Sequence, residues 1–151
     1  MNPEKLTHLI YTSAASPEFH PADLKAILQI ARRNNAQLSV TGLLLFTSGS
    51  FFQVLEGEEA KLLELFAHIS LDPRHMSVTK IIQEPIAQRY FGDWTMGYSE
   101  VTLSELETIE GLNDFFQQGN SLANLGSGRA KKLLSAFAQG RWRARLQGDP
   151  K

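Results

Sequence analysis

The chain has 151 residues, 42% of them hydrophobic, with no cysteine and a formal net charge of −1 from 15 basic and 16 acidic side chains. A single domain of this length can bury a full core, and the lack of cysteine excludes disulfides, thiolate metal sites and a thiol nucleophile. Near-neutral charge makes no electrostatic case for nucleic acid, no apolar run approaches the roughly 20 residues that span a bilayer, and "MNPEKLTHLIY" is not a secretory leader; a cytoplasmic protein is expected.

In chain order, "LTHLIYTS" (6–13) reads as a first strand. After the loop "SPEFH", Pro21 suits the first turn of a helix, with Asp23 beside it. Leu24, Ile27, Leu28 and Ala31 follow at helical spacing, and Arg32, Arg33, Asn34 and Asn35 close the segment. "SVTGLLLFT" (39–47) and "FFQVLEG" (51–57) form a hairpin across "SGS". Glu58 to Leu71 is a second helix, with Leu62, Leu65, Phe66 and Ile69 facing inward, and "DPRH" breaks it. His75 in that break reads as structural. "SVTKIIQEPI" (77–86) is a fourth strand and "WTMGYSEV" (94–101) a short fifth. Helices are expected over about 103–117 and 128–146, joined by the Gly/Asn/Ser-rich "QQGNSLANLGSG".

The order βαββαβ, one more strand and two helices predicts an α/β (α+β) chain folded as a ferredoxin-like sandwich. Its mixed five-stranded sheet carries two helices on one face, plus two C-terminal helices. Within the third strand Gln53 is out of place. Its neighbours Phe51, Phe52, Val54 and Leu55 are core residues, and a buried amide left without partners costs roughly 1–3 kcal/mol. In this topology the first and third strands are neighbours, so Tyr11 and Gln53 are expected side by side beneath the helices. A tyrosine–glutamine pair there either plugs the core or lines a ligand slot. Asn34 and Asn35 are read either as a C-cap or as amides that grip a planar hydrogen-bonding ring.

Five segments together resemble one family. They are "LIYTS" with Tyr11, "ARRNNAQLSVTGLLLF" with Asn34, Asn35 and the Thr41–Gly42 pair, "FFQVLEGEE" with Gln53, "DPRH" at 72–75, and "FGDWTMGY" with Trp94 and Met96. In this order and spacing, over about residues 6–100, they are similar to BLUF domains, the blue-light sensors that use FAD. The resemblance implies an FAD held non-covalently, its ring between the two helices. It implies Tyr11 and Gln53 as the photoactive pair, with Trp94 and Met96 on a switch strand. Cofactor contacts are implied from Tyr11, Ile27, Asn34, Asn35, Gln53, His68, Ile69 and Asp72: Asn35 at the ring's carbonyl and N3 side, Ile27 and Ile69 flanking the ring. Light would drive proton-coupled electron transfer from Tyr11, and the Gln53 amide would rotate or tautomerise and red-shift the absorption. Thr95 stands where many members have serine, and His68 where arginine is common near the phosphates.

The resemblance also implies a BLUF domain over 1–101 with a helical extension over 102–151 packed on the far face of the sheet. The chain is expected to be a short stand-alone photoreceptor and homo-oligomer without catalytic turnover. It would signal through a separate partner protein, without direct nucleic-acid contact. From Gly126 to Lys151 seven Lys/Arg face one acid, Asp149. The segment "RAKKLLSAFAQGRWRARL" reads either as a helix docked on the sheet with a solvated basic face or as a surface for a membrane or an acidic partner. Two other classes have distinct requirements. A small-molecule sensor or enzyme would need an acid/base pair or phosphate loop, and none is present. An RRM-like RNA binder would need exposed sheet aromatics, for which only Phe52 offers itself.

Overall fold

The computed structural model describes residues 6–15, 21–47, 49–71, 75–89, 97–100, 112 and 126–138. The elements are β1 (Leu6–Ala15), α1 (Pro21–Leu38), β2 (Thr41–Thr47), β3 (Ser50–Glu58), α2 (Glu59–Ser70), β4 (His75–Pro85), β5 (Gly97–Glu100) and α3 (Ser127–Ala138). The sheet runs β4-β1-β3-β2-β5. Its first four strands pair antiparallel throughout, while β5 is four residues long and runs parallel to β2.

This corrects the expected architecture. The ferredoxin-like sheet proper has four strands, β4-β1-β3-β2, with β5 a short addition at the β2 edge. Three helices, not four, occur among the described residues. The expected helix over 103–117 lies outside them, apart from the fully buried Leu112.

Alternation along the strands divides the core between two faces. Leu9, Tyr11, Phe51 and Leu55 cluster with Leu28 of α1 and Leu62 and Leu65 of α2. Full burial of such aliphatic and aromatic side chains contributes about 1.5–3 kcal/mol each, so this face holds α1 and α2 to the sheet. The opposite face carries His8, Ile10, Val54 and Ile82, all buried. There α3 lies against β4, burying Ala130, Leu133 and Leu134 while Arg129, Lys131 and Lys132 stay exposed. Phe52 is fully buried, which removes the aromatic display that RNA binding required.

Helix α1 runs three residues past Asn35, so the asparagines are not its C-cap. The turn falls at Ser39, with φ 56°, and the Val40 N–H donates to the Asn35 carbonyl at 2.8 Å, the Schellman arrangement that satisfies a terminal carbonyl. Arg89 secures this turn from after β4. Its guanidinium donates to the Ser39 carbonyl (2.8 Å), the Glu56 carbonyl (3.0 Å) and Thr41 Oγ1 (2.8 Å). Thr41 Oγ1 in turn donates to the buried Glu56 carboxylate at 3.0 Å. Arg89→Ala is expected to cost roughly 2–3 kcal/mol, the scale of hydrogen bonds to a charged group, measured by chemical denaturation. Arg89→Lys should recover little, because one ammonium does not reproduce the planar fork. The adjoining Gly42 answers to space: a Cβ there would lie 2.0 Å from the Val54 carbonyl oxygen.

On the far face, His8 Nε2 donates to Glu84 Oε1 at 3.0 Å, and Lys131 Nζ of α3 lies 3.4 Å from Glu84 Oε2. The His8 hydrogen bond foremost, with Lys131 beside it, holds the Glu84 carboxyl below the ordinary 4.5 of a glutamate. A carboxyl depressed in the folded state stabilises it fully above the unfolded value, and that contribution fades as pH falls through the folded one. The carboxylate is partly exposed, so the pair is worth no more than about 1 kcal/mol. Glu84→Gln should therefore be slightly less stable than the parent at neutral pH, and the difference should shrink well below pH 4.5, as denaturation at the two pH values will show.

Candidate functional site

The puzzling amide has a partner. Tyr11 of β1 and Gln53 of β3 stand opposite each other in the antiparallel register, and the Tyr11 hydroxyl donates to Gln53 Oε1. The tyrosine is 1% exposed and the glutamine 5%. Both form part of the floor of a cavity of about 260 Å³ between α1 and α2.

The lining assembles from three directions. The sheet supplies Tyr11, Gln53 and Leu55; α1 supplies Ile27, Ile30, Ala31, Asn34 and Asn35; α2 supplies Leu65, His68 and Ile69. Ile27, Ala31 and Asn34 follow one helical face at i, i+4 and i+7, so a single stripe of α1 presents first aliphatic and then amide groups. Asn35 is 1% exposed. The result is two apolar walls, one on each helix, above a polar edge of three amides and a phenol. That donor set suits a flat ring with apolar faces and a hydrogen-bonding rim, as in a flavin. The volume lies just under the roughly 300–1,000 Å³ of pockets that enclose drug-sized ligands, room for a ring rather than for a whole dinucleotide. A second hollow of about 160 Å³ shares Asn34, Leu65 and His68 with the first and adds Gln37, Leu38 and Glu64.

Of the residues expected at the site, Tyr11, Ile27, Asn34, Asn35, Gln53, His68 and Ile69 all line this cavity. Asp72, Trp94 and Met96 lie outside the described residues, as does the side chain of His75. Ile30, Ala31, Leu55 and Leu65 were not anticipated as lining residues. Their signal was present: Ile30 and Ala31 follow Ile27 at i+3 and i+4, and Leu55 follows Gln53 by one strand repeat. Among the described residues no group of three or more His, Cys, Asp or Glu is placed to hold a metal ion, and no helix is long and apolar enough to cross a membrane.

Comparison with known proteins agrees with the slot. Residues 6–97 match the family model "BLUF: Sensors of blue-light using FAD". The chain is 40% identical over 114 residues to a photoactivated adenylate cyclase subunit beta of Euglena longa, covering 75% of this chain and 13% of that protein. It is 34% identical over 116 residues to the blue light- and temperature-regulated antirepressor BluF of Escherichia coli K12, covering 77% of this chain and 28% of that one. The chain thus spans well under a third of either relative. Among solved structures, the dark state of BlrB, a BLUF protein, superposes with a TM-score of 0.72 at 32% identity, over 90% of this chain and 97% of that one. The slot between α1 and α2, its tyrosine–glutamine floor and these matches lead to one conclusion: the chain belongs to the BLUF family, the blue-light photoreceptors that hold a flavin.

Proposed function

We propose that this chain holds FAD non-covalently in the α1–α2 slot and converts blue light into a rearranged hydrogen-bond network at Gln53. The observation that carries the reading is the Tyr11–Gln53 hydrogen bond facing the cavity. When bound, the flavin supplies blue-light absorption and an acceptor for one electron. Tyr11 gives up that electron together with its hydroxyl proton, and Gln53, which accepts the tyrosine's hydrogen bond, stands at the start of the proton's path. An amide has a donor end and an acceptor end of nearly equal size. Rotation or tautomerisation of Gln53 therefore rewrites its hydrogen bonds with almost no change in volume, giving a two-state element that light biases. Asn35 and Asn34 would hold the ring by its polar rim, and Ile27 and Ile69 would flank its two faces. The shared hollow past Asn34 and His68 would give the rest of the cofactor a way out between the helices, and the resemblance alone adds Asp72 to the cofactor contacts.

Output is assigned to the sheet. Leu44 of β2 stands opposite Gln53 on one side and Tyr98 of β5 on the other. A change at Gln53 is therefore two strands from β5, directly after Trp94 and Met96, the pair assigned to the switch. We assign residues 1–101 to the light-sensing domain and 102–151 to a helical extension, with a separate protein as the recipient of the signal. The packing of α3 on the far face and the name of the antirepressor relative support this division. The test is the cofactor itself. Protein purified from flavin-supplied cells should be yellow and should release FAD on heating. A colourless protein that also fails to take up FAD on reconstitution would overturn the reading.

A further inference from the structure

We propose that Phe66 is a positioning residue for the light reaction, setting the plane of the Tyr11 ring; the inference rests on the assignment of Tyr11 and Gln53 as the photoactive pair. Phe66 of α2 meets Tyr11 edge-on, with ring centroids 5.5 Å apart and planes inclined at 62°. It is half-buried against the cluster that contains Tyr11. Tyr11 forms part of the cavity floor and Phe66 is not among the lining residues, so the contact that carries the proposal is the one with the tyrosine ring.

Three features make this contact consequential. The last torsion of a tyrosine is broad and roughly two-fold, so the side chain does not choose its own ring plane. The sheet fixes only the backbone of Tyr11, which has register partners on both sides, Gln53 on β3 and Lys80 on β4, so the ring plane is left to the side chains packed against it. The phenolic O–H lies in the ring plane through conjugation, so the plane decides where the hydrogen points. A T-shaped neighbour favours one inclination, and Phe66 thereby aligns the proton that Tyr11 donates to Gln53 Oε1.

The test compares Phe66→Leu, Phe66→Met and Phe66→Tyr in the full chain with flavin bound, alongside Tyr11→Phe. The readouts are the quantum yield of the red-shifted state and the rate of its dark recovery. Loss of the ring in the Leu or Met variant should lower the yield several-fold and alter recovery several-fold while the dark flavin spectrum persists, and Phe66→Tyr should restore both. The Met variant serves where the Leu variant does not fold. Parental yield and recovery in the ring-less variants, with only thermal stability reduced, would overturn the proposal, as would a Phe66→Tyr variant as impaired as Phe66→Leu. A Tyr11→Phe protein that still cycles normally would instead overturn the underlying pair assignment, which keeps the two failures distinct.

Discussion

Gln53→Leu is expected to bind flavin and to show no light-induced red shift. Leucine is close in size and apolar, and the site's walls come from α1 and α2, so the ring keeps its place. What disappears is the reversible amide. Tyr11 loses the Gln53 acceptor for its hydroxyl, a penalty of about 1–3 kcal/mol for a buried polar group. That is small against the stability of most domains of this size, so the variant should fold and can be judged by its spectrum. Absorption recorded before and after a blue flash gives the answer. A normal, reversible shift in this variant would mean that the spectral change arises elsewhere in the pocket.

Tyr11→Phe should leave the protein almost insensitive to light. The ring remains, and with it the edge contact to Phe66 and the packing in the core cluster, so the cavity floor is preserved. The hydroxyl leaves, and with it both the readily oxidised phenol and the proton that travels with the electron. Loss of this donor to Gln53 Oε1 costs about the same 1–3 kcal/mol, which again predicts a folded protein. The measurement is the yield of the red-shifted state, with flavin occupancy confirmed from the dark spectrum. A photocycle of parental yield would mean that another donor suffices, with Trp94 the first to test.

Much of this arrangement was legible in the residues. The juxtaposition of Tyr11 and Gln53 follows from alternation on two strands and from the order of elements, because an antiparallel register between neighbours fixes which side chains meet. The inward stripe of α2 was equally clear, since its period needs no tertiary information. The end of α1 was not. Paired asparagines are a local cap signal, but the true turn at Ser39 is secured by Arg89, fifty residues away in sequence, and no local pattern encodes a partner at that distance. The His8–Glu84–Lys131 chain was invisible for the same reason: it joins β1, β4 and α3, and each residue alone reads as an ordinary polar side chain. Phe66 was recognised as facing the core, but periodicity cannot say that its neighbour there is the ring of Tyr11. The standing of the last strand, a short addition to a four-stranded sheet proper, was missed for a different reason. "WTMGYSEV" has strand-like composition along its length, and the part of it among the described residues is the four-residue Gly97–Glu100, which joins the sheet at the β2 edge; composition marks a tendency to pair and says nothing of a strand's place in the sheet.

The central claim is that light rewrites the hydrogen bonds between Tyr11, Gln53 and a bound flavin. It is tested most directly by the absorption spectrum of the purified, flavin-loaded protein, recorded in the dark, immediately after blue light, and again after return to darkness. The expected result is a flavin spectrum that moves slightly to the red without bleaching and recovers fully in the dark. A bound flavin whose spectrum is unchanged by light would contradict it.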